Sequence, residues 1–256
     1  MIFFFPKKTL SHTVTGNKCE LNCSFCRNKY LSHMNNSVLE DKLLSKFSSI
    51  LISGGFDKNG VLPLPEITYF ESIFKKKLKI NMHLGFYSKK QHNTLSYLKD
   101  HIKAFSFNFL PEEKSISHIS PFFSPEDYLY SYRKFNDIGL NIFPHILLGL
   151  TDENGEHKIF DHLISFNPKK IILLVKIPLG PYEQLYPSIR LLQNIDYIKN
   201  ILPNSDIFIG CMRPGGKWRK DTDKLLLASR ISGIVNPAIP SKIRKEHKIK
   251  EECCVF

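Results

Sequence analysis

The sequence has no long apolar run, which excludes a membrane-spanning helix. Its longest apolar runs, such as residues 171–175, are far shorter than the roughly 20 residues that cross a bilayer. The first six residues are apolar but have no basic region, and they are too short for the apolar region of a signal peptide. We therefore expect a chain without membrane contact that works in the cytoplasm, where thiols stay reduced.

Cysteine is scarce, and its spacing excludes two common uses. Six cysteines in 256 residues without a secretory signal do not make a disulfide framework. A structural zinc site would add a second short-spaced Cys/His pair. His12 and His33 stand near the first cysteines without forming such a pair, so zinc is a weaker alternative.

Acidic residues are few compared with basic ones. The 24 acidic and 36 basic side chains give a net charge of +12, which suits an anionic partner. The lysines are scattered and no RNA-binding motif accompanies them. The charge can also reflect compositional bias, and nucleic acid is the weaker explanation of it.

Three cysteines stand close together near the amino terminus. Cys19, Cys23 and Cys26 have the spacing C-x3-C-x2-C. Three thiolates can hold three corners of a [4Fe–4S] cluster and leave one iron open for a ligand. The spacing, with Phe25 just before the last cysteine, resembles the signature of the radical S-adenosylmethionine (SAM) superfamily. In that superfamily the open iron binds SAM, whose cleavage yields a 5′-deoxyadenosyl radical.

Strand-like and helix-like segments alternate along the chain, which is typical of a parallel α/β fold. The sequence predicts strands over residues 12–15, 50–53, 80–85, 104–109, 142–148, 171–176, 207–211 and 233–235. It predicts helices over residues 38–47, 66–77, 91–99, 125–138, 158–166, 188–201 and 222–232. We therefore expect residues 1–256 to form a single (β/α)8 TIM-type barrel, closed or nearly closed. Residues 243–256 would form a carboxyl-terminal tail over the barrel mouth.

Polar side chains and glycines at predicted strand ends are candidate site residues, since chemistry in such barrels lies at the carboxyl ends of the strands. Ser53, Gly54 and Gly55 follow the second predicted strand, where adjacent glycines let the backbone approach a ligand closely. Three polar residues interrupt other apolar strands and need a partner there, namely His83, Asn108 and His145. The alternative for each of the three is a core residue whose polar atoms find hydrogen-bond partners within the protein.

The other three cysteines are Cys211 at a predicted strand end and Cys253 and Cys254 in the tail. If the tail folds across the barrel, these thiols meet and can hold a second, auxiliary cluster. Arg213, two residues after Cys211, is a candidate contact for that cluster or for a carboxylate. The alternative is that Cys211 is a small buried residue and the tail pair is incidental.

Motifs along nearly the whole chain resemble the biotin-synthase-related radical SAM proteins. They are most similar to the smaller component of the archaeal-type two-component lipoyl synthases. The motifs are Val14-Thr15-Gly16, the cysteine loop, Ser53-Gly54-Gly55, Pro144-His145-Ile146, Gly149-Leu150, Gly210-Cys211-Met212-Arg213-Pro214 and Glu251-Glu252-Cys253-Cys254. Phe56 stands where the superfamily often has Glu, so the amino end of SAM would be held by backbone groups.

The resemblance implies a sulfurtransferase that inserts sulfur into a protein-bound octanoyl chain. One component would act at carbon 6 and the other at carbon 8, with carbon 6 favoured here. Cys19, Cys23 and Cys26 would ligate the SAM cluster, and Phe25 would pack beside the adenine. Ser53, Gly54, Gly55, His83 and Asn108 would bind SAM, and His145 and Arg213 would serve the substrate or catalysis. Cys211, Cys253 and Cys254 would hold a sacrificial auxiliary [4Fe–4S] cluster.

The implied partners are an octanoylated lipoyl carrier protein or E2 domain, a second lipoyl synthase component, and an electron donor such as ferredoxin. Two alternatives stay open on the sequence. One is another biotin-synthase-like radical SAM enzyme, for cofactor maturation, methylation or rearrangement. The other is an iron–sulfur RNA-binding protein that uses the basic charge.

Overall fold

Ten parallel strands form one sheet in the computed structural model, which describes residues 1–256. The strands are β1 (Ile2–Phe4), β2 (Thr9–Thr13), β3 (Ser49–Ser53), β4 (Lys79–Leu84), β5 (Ala104–Asn108), β6 (Ile142–Leu148), β7 (Lys170–Val175), β8 (Asp206–Ile209), β9 (Gly233–Val235) and β10 (Lys248–Lys250). The eight predicted strands correspond to β2–β9. The sequence analysis missed β1 and β10, which have three residues each.

The order across the sheet is β10-β1-β9-β8-β7-β6-β5-β4-β3-β2. Strands β2 to β9 are therefore neighbours in chain order, as in a (β/α)8 barrel, and β1 lies between β9 and β10. The sheet curls into a half-barrel, which confirms the predicted TIM-type α/β class. Strands β2 and β10 do not pair, so the sheet stays open rather than closing by hydrogen bonds.

Nine α-helices and two short 3-10 turns connect the strands. The helices are α1 (Asp41–Leu44), α2 (Ile67–Phe74), α3 (His92–Leu98), α4 (Glu113–Ser117), α5 (Pro125–Ile138), α6 (Glu153–Ile164), α7 (Ser188–Ile201), α8 (Gly216–Leu226) and α9 (Ser241–Arg244). Two predicted helices, α5 and α7, have their predicted bounds. Ser124 caps the start of α5 in a capping box with Asp127, and Gly139 ends it with φ 85°.

Other predicted helix bounds differ from the structure. The helix predicted over residues 222–232 is α8, which begins at Gly216 and ends at Leu226. The helix predicted over residues 38–47 is only the single turn α1. Helix α6 begins earlier than predicted, because Asp152 accepts a hydrogen bond from Gly155 N at 2.9 Å and caps it.

The apolar residues form two layers, one on each side of the sheet. The larger layer lies between the sheet and the surrounding helices and contains 45 buried residues. A smaller cluster fills the inside of the curled sheet, which we call the lumen. It consists of Phe4, Ala104, Phe143, Ile172, Phe208, Val235, Cys254 and Val255.

The tail does not lie over the barrel mouth, and that prediction is corrected. Cys254 and Val255 are each 4% exposed and pack inside the lumen. Lys170, the first residue of β7, donates to the carbonyls of both residues. Lys79, the first residue of β4, forms an ion pair with Glu252 at 2.6 Å. The tail thus enters at the amino-terminal ends of the strands and forms the floor of the lumen.

None of the helices is both long enough and apolar enough to cross a bilayer.

Candidate functional site

The three clustered cysteines lie on the long loop between β2 and α1, at the carboxyl end of β2. Backbone groups of Cys26 and Arg27 donate to Cys23 O at 3.0 and 2.9 Å, which turns the loop sharply. Asn22, Arg27 and Asn28 adopt left-handed φ values of 45°, 48° and 60°. Asn28 Nδ2 donates to Cys19 O at 3.3 Å and fastens the end of the turn to its start. The loop therefore holds all three thiols on one compact turn.

The chemistry of the three thiols fits an iron–sulfur cluster. Cys19, Cys23 and Cys26 are each partly buried and unpaired in disulfides. Burial, followed by the charges of Cys26 and Cys19, raises the pKa of Cys23 to about 12, so the three sulfurs share one small region. They do not converge tightly enough for a single metal ion. A cluster is larger than one ion and takes a thiolate at each corner, and binding would release the thiol protons.

The predicted Gly-Gly loop packs directly on the cysteine loop. Gly55 N donates to Thr15 Oγ1 at 2.6 Å, and Phe56 N donates to Cys19 Sγ at 3.3 Å. Glu20 N in turn donates to Phe56 O at 2.8 Å. Thr15 thus joins the two loops, a contact that the motif Val14-Thr15-Gly16 did not predict. The two loops form one hydrogen-bonded unit above the lumen.

We expect Gly55→Ala to prevent loading of the cysteine loop. A Cβ at Gly55 would lie 1.9 Å from Lys18 O and 2.5 Å from Cys19 Cβ. The Lys18 carbonyl belongs to the backbone and cannot rotate away from the added methyl group as the end of a long side chain could. The whole cysteine loop would therefore have to move. Iron content after anaerobic reconstitution should fall by about four atoms per chain. The matched control is Gly180→Ala, where nothing lies within 4 Å of the added Cβ. Equal iron content in the two variants would contradict this packing role.

A small pocket of about 50 Å³ lies between the cysteine loop and the ends of β4 and β5. Ten of its 13 lining residues are hydrophobic, among them Phe25. Cys23 and Asn108 also line it. The structure therefore brings together three residues that the sequence analysis named separately.

His83 and His145 lie side by side next to this pocket. Their ring centroids are 5.8 Å apart, and His83 also meets the Phe56 ring edge-on at 6.3 Å. His145 Nδ1 lies 3.2 Å from Phe143 O, while His83 Nε2 is buried without a hydrogen-bond partner. A buried polar atom without a partner is costly. His83 Nε2 is thus available to a polar group of a bound ligand.

Both histidines are held neutral by their surroundings. Burial lowers the pKa of His83 to about 4, with the Asn108 side chain opposing the shift. Burial and then the charge of His83 lower the pKa of His145 to about 3. Neutral imidazoles can donate or accept a hydrogen bond, and they do not repel a cationic sulfonium.

The lowered pKa values of His83 and His145 predict that the folded protein loses stability at acidic pH. A histidine whose folded pKa lies below its ordinary 6.5 binds fewer protons when folded, so unfolding takes up protons. Stability should therefore fall as pH drops from 6.5 towards 4, by up to about 1.4 kcal/mol per pH unit for each histidine. Urea unfolding of the cluster-free protein at several pH values measures this slope. The double variant His83→Asn, His145→Asn should flatten it, whereas a variant of the exposed His33 should not. An unchanged slope in the double variant would contradict the assignment.

Arg213 is held by partners within the protein, and its predicted contact with a cluster or a carboxylate stays a prediction. Its side chain is fully buried in an ion pair with Asp223. It also donates to Val235 O at 2.7 Å and to Asn236 O at 3.3 Å. The guanidinium is therefore committed to joining the end of β9 to α8. Sequence spacing could not reveal this, because the partners are 10 to 23 residues away.

The remaining three cysteines lie at two levels of the fold, with Cys211 exposed, Cys253 partly buried and Cys254 buried. Cys211 follows β8 at the upper, carboxyl end, and Cys253 and Cys254 lie on the floor. Interaction between the adjacent thiols of Cys253 and Cys254 lowers the pKa of Cys253 and raises that of Cys254. The charge of Cys211 adds to the rise at Cys254. As with the first three thiols, they do not form a single-ion site.

Comparison with known proteins identifies the class of fold. No described protein family and no curated protein matches the sequence. Among solved structures, methylornithine synthase (PylB) is similar over 91% of this chain and 73% of its own, with TM-score 0.59 and 13% identity. SuiB from Streptococcus suis, bound to S-adenosylmethionine, is similar over 83% of this chain, with TM-score 0.56 and 14% identity.

A third similar structure is anSMEcpe with bound AdoMet and the peptide Cp18Cys, with TM-score 0.52 and 12% identity. The similarity covers 90% of this chain and 68% of that one. All three are radical SAM enzymes. The chain spans about half of SuiB, 51% of its length. At these identities the comparisons establish the fold alone, a curled parallel α/β sheet of the TIM-barrel type.

Proposed function

We propose that this chain is a radical SAM enzyme whose cysteine loop holds a [4Fe–4S] cluster. The observation that carries the proposal is the position of Cys19, Cys23 and Cys26. They follow the first strand of the barrel series and pack on the Gly54-Gly55 loop through hydrogen bonds between backbone and side chains. When bound, the reduced cluster and SAM supply a 5′-deoxyadenosyl radical.

The chain's own residues would bind and orient SAM beside that loop. Ser53, Gly54 and Gly55 stand where the amino end of SAM would lie. Phe25 offers an apolar face for the adenine inside the pocket. Asn108 and His83 offer polar atoms on the lumen side, and His83 Nε2 has no partner within the protein. The apolar pocket walls exclude water from the reacting groups.

The substrate would lie deeper in the lumen, between the SAM pocket and the floor formed by the tail. His145 faces this space from β6 and would position the substrate. Two neighbours support a protein-borne substrate in general terms, since SuiB was solved with its precursor peptide and anSMEcpe with a peptide. The net charge of +12 suits an acidic carrier domain.

Our finer proposal is that the reaction is sulfur insertion into an octanoyl chain carried on a lysine of a lipoyl carrier protein or E2 domain. Its support is the position of Cys253 and Cys254 on the floor of the lumen, below Cys211 at the carboxyl end of β8. These thiols would hold an auxiliary cluster as the sulfur source. A second component and a reductant such as ferredoxin would complete the system, in the cytoplasm.

We expect the triple variant Cys211→Ala, Cys253→Ala, Cys254→Ala to lose sulfur transfer and keep SAM cleavage. Reconstituted wild type should hold about eight irons per chain and the variant about four. Thiolated octanoyl-lysyl peptide, measured by mass spectrometry, should form only with wild type. If both proteins hold about four irons per chain, no auxiliary cluster is present. The function would then be that of another radical SAM enzyme, for which the first cysteine loop is sufficient.

A further inference from the structure

A lysine side chain points into the lumen beneath the tail cysteines. Lys170 begins β7, and its Nζ donates to Cys254 O at 3.1 Å and to Val255 O at 2.9 Å. The same ammonium lies 5.1 Å from the ring centroid of Phe143 and 4.8 Å from that of Phe208. Strands β6, β7 and β8 and the tail therefore all meet at this one charge.

The charge is not neutralised by an ion pair. None of the ion pairs in the protein includes Lys170. Burial lowers its pKa and the charge of Lys250 adds to the shift, while the charges of Cys254, Asp206 and Cys253 oppose it. Two carbonyls and two aromatic faces compensate part of the desolvation cost. A lysine in such a place is best explained if the lumen above it carries negative charge in the working protein.

The thiols of the tail are the groups that can carry that charge. Cys254 and its neighbour Cys253 lie next to the carbonyls to which Lys170 donates. Metal-bound thiolates are anionic, and a nearby cation that donates no ligand stabilises them without competing for the metal.

We propose that Lys170 is a positioning residue that anchors residues 253–255 in the lumen and compensates the charge of thiolates at Cys253 and Cys254. The charge-compensating part rests on the proposed auxiliary cluster, whereas the anchoring part does not. A signal was present in the sequence, since Lys169 and Lys170 stand directly before the apolar run 171–175. A lysine pair in front of a strand is ordinarily solvated, so only the structure distinguishes Lys170.

The test uses Lys170→Met, which keeps the length of the side chain and removes its charge. Lys199→Met is the matched control, because Lys199 Nζ also donates to a carbonyl, Ser205 O at 2.6 Å, away from the lumen. Lys170→Arg keeps the charge and the capacity to donate to two carbonyls. Hydrogen–deuterium exchange of the tail is measured on the full-length, cluster-free form of each protein. Iron content is measured on the same proteins after reconstitution.

In Lys170→Met we expect amides of residues 253–256 to exchange at least about ten-fold faster than in wild type. Iron should fall from about eight to about four atoms per chain while SAM cleavage is retained. Lys199→Met and Lys170→Arg should stay near wild type in both measurements. Unchanged tail exchange in Lys170→Met would overturn the anchoring role.

Iron content distinguishes a failure of the charge-compensating role from a failure of the proposed function. If wild type holds about eight irons and Lys170→Met keeps them, charge compensation by Lys170 is wrong while the auxiliary cluster stands. If wild type itself holds about four, the auxiliary cluster is wrong, and with it the compensating role. The exchange measurement decides the anchoring role in either case.

Discussion

Replacing Cys23 with alanine is expected to abolish reductive cleavage of SAM. Cys23 is central to the cysteine loop, since its carbonyl accepts two backbone hydrogen bonds and its side chain lines the pocket. Two thiolates cannot hold three corners of the cluster, and the electron for cleavage comes from that cluster. Formation of 5′-deoxyadenosine should fall by more than about a thousand-fold.

The measurement is 5′-deoxyadenosine by liquid chromatography and mass spectrometry, with dithionite as reductant. Cys211→Ala is the matched control, since it removes a thiol from the lumen and leaves the cysteine loop intact. The control should cleave SAM at close to the wild-type rate. Retained cleavage in Cys23→Ala, or loss of cleavage in both variants, would show that the cluster is not held by the cysteine loop alone.

Asp223→Ala is expected to be the most destabilising single substitution outside the apolar core. Asp223 is fully buried, pairs with Arg213 and accepts from Ala238 N at 2.7 Å. Its removal leaves the Arg213 guanidinium buried without its counter-ion. The expected loss is about 3–5 kcal/mol of unfolding free energy, as for other broken buried pairs.

Chemical denaturation of the cluster-free protein measures this loss. Asp221→Ala is the control, because Asp221 pairs with Lys217 on the exposed face of the same helix at 2.5 Å. This substitution should lower the unfolding free energy by less than about 1 kcal/mol. Equal unfolding free energies for the two variants would contradict the structural role given to Arg213.

Much of the fold could be predicted because its signals are local. The β-branched run at residues 171–175 is typical of a strand buried on both faces, and β7 is such a strand. Helix α5 has both of its predicted bounds because Ser124 and Gly139 are strong end signals. Helix α8 begins six residues before its predicted start, and Asp223 lies inside it as the buried partner of Arg213.

The candidate site likewise has one part that the local sequence predicts and another part that it does not. Cys19, Cys23 and Cys26 are close in sequence, so their spacing is sufficient to name them. The tail position depends on contacts across most of the chain, such as the pair between Lys79 and Glu252. No local pattern reports such contacts, which is why the tail was expected over the mouth and lies on the floor. The contacts of Lys170 and Thr15 could not be predicted for the same reason.

The most direct test of the central claim is electron paramagnetic resonance of the reduced, reconstituted protein before and after addition of SAM. The account predicts the signal of a reduced [4Fe–4S] cluster whose shape changes when SAM binds the open iron, followed by 5′-deoxyadenosine in the same sample. A cluster signal that SAM leaves unchanged, with no 5′-deoxyadenosine formed, would contradict radical SAM chemistry in this protein.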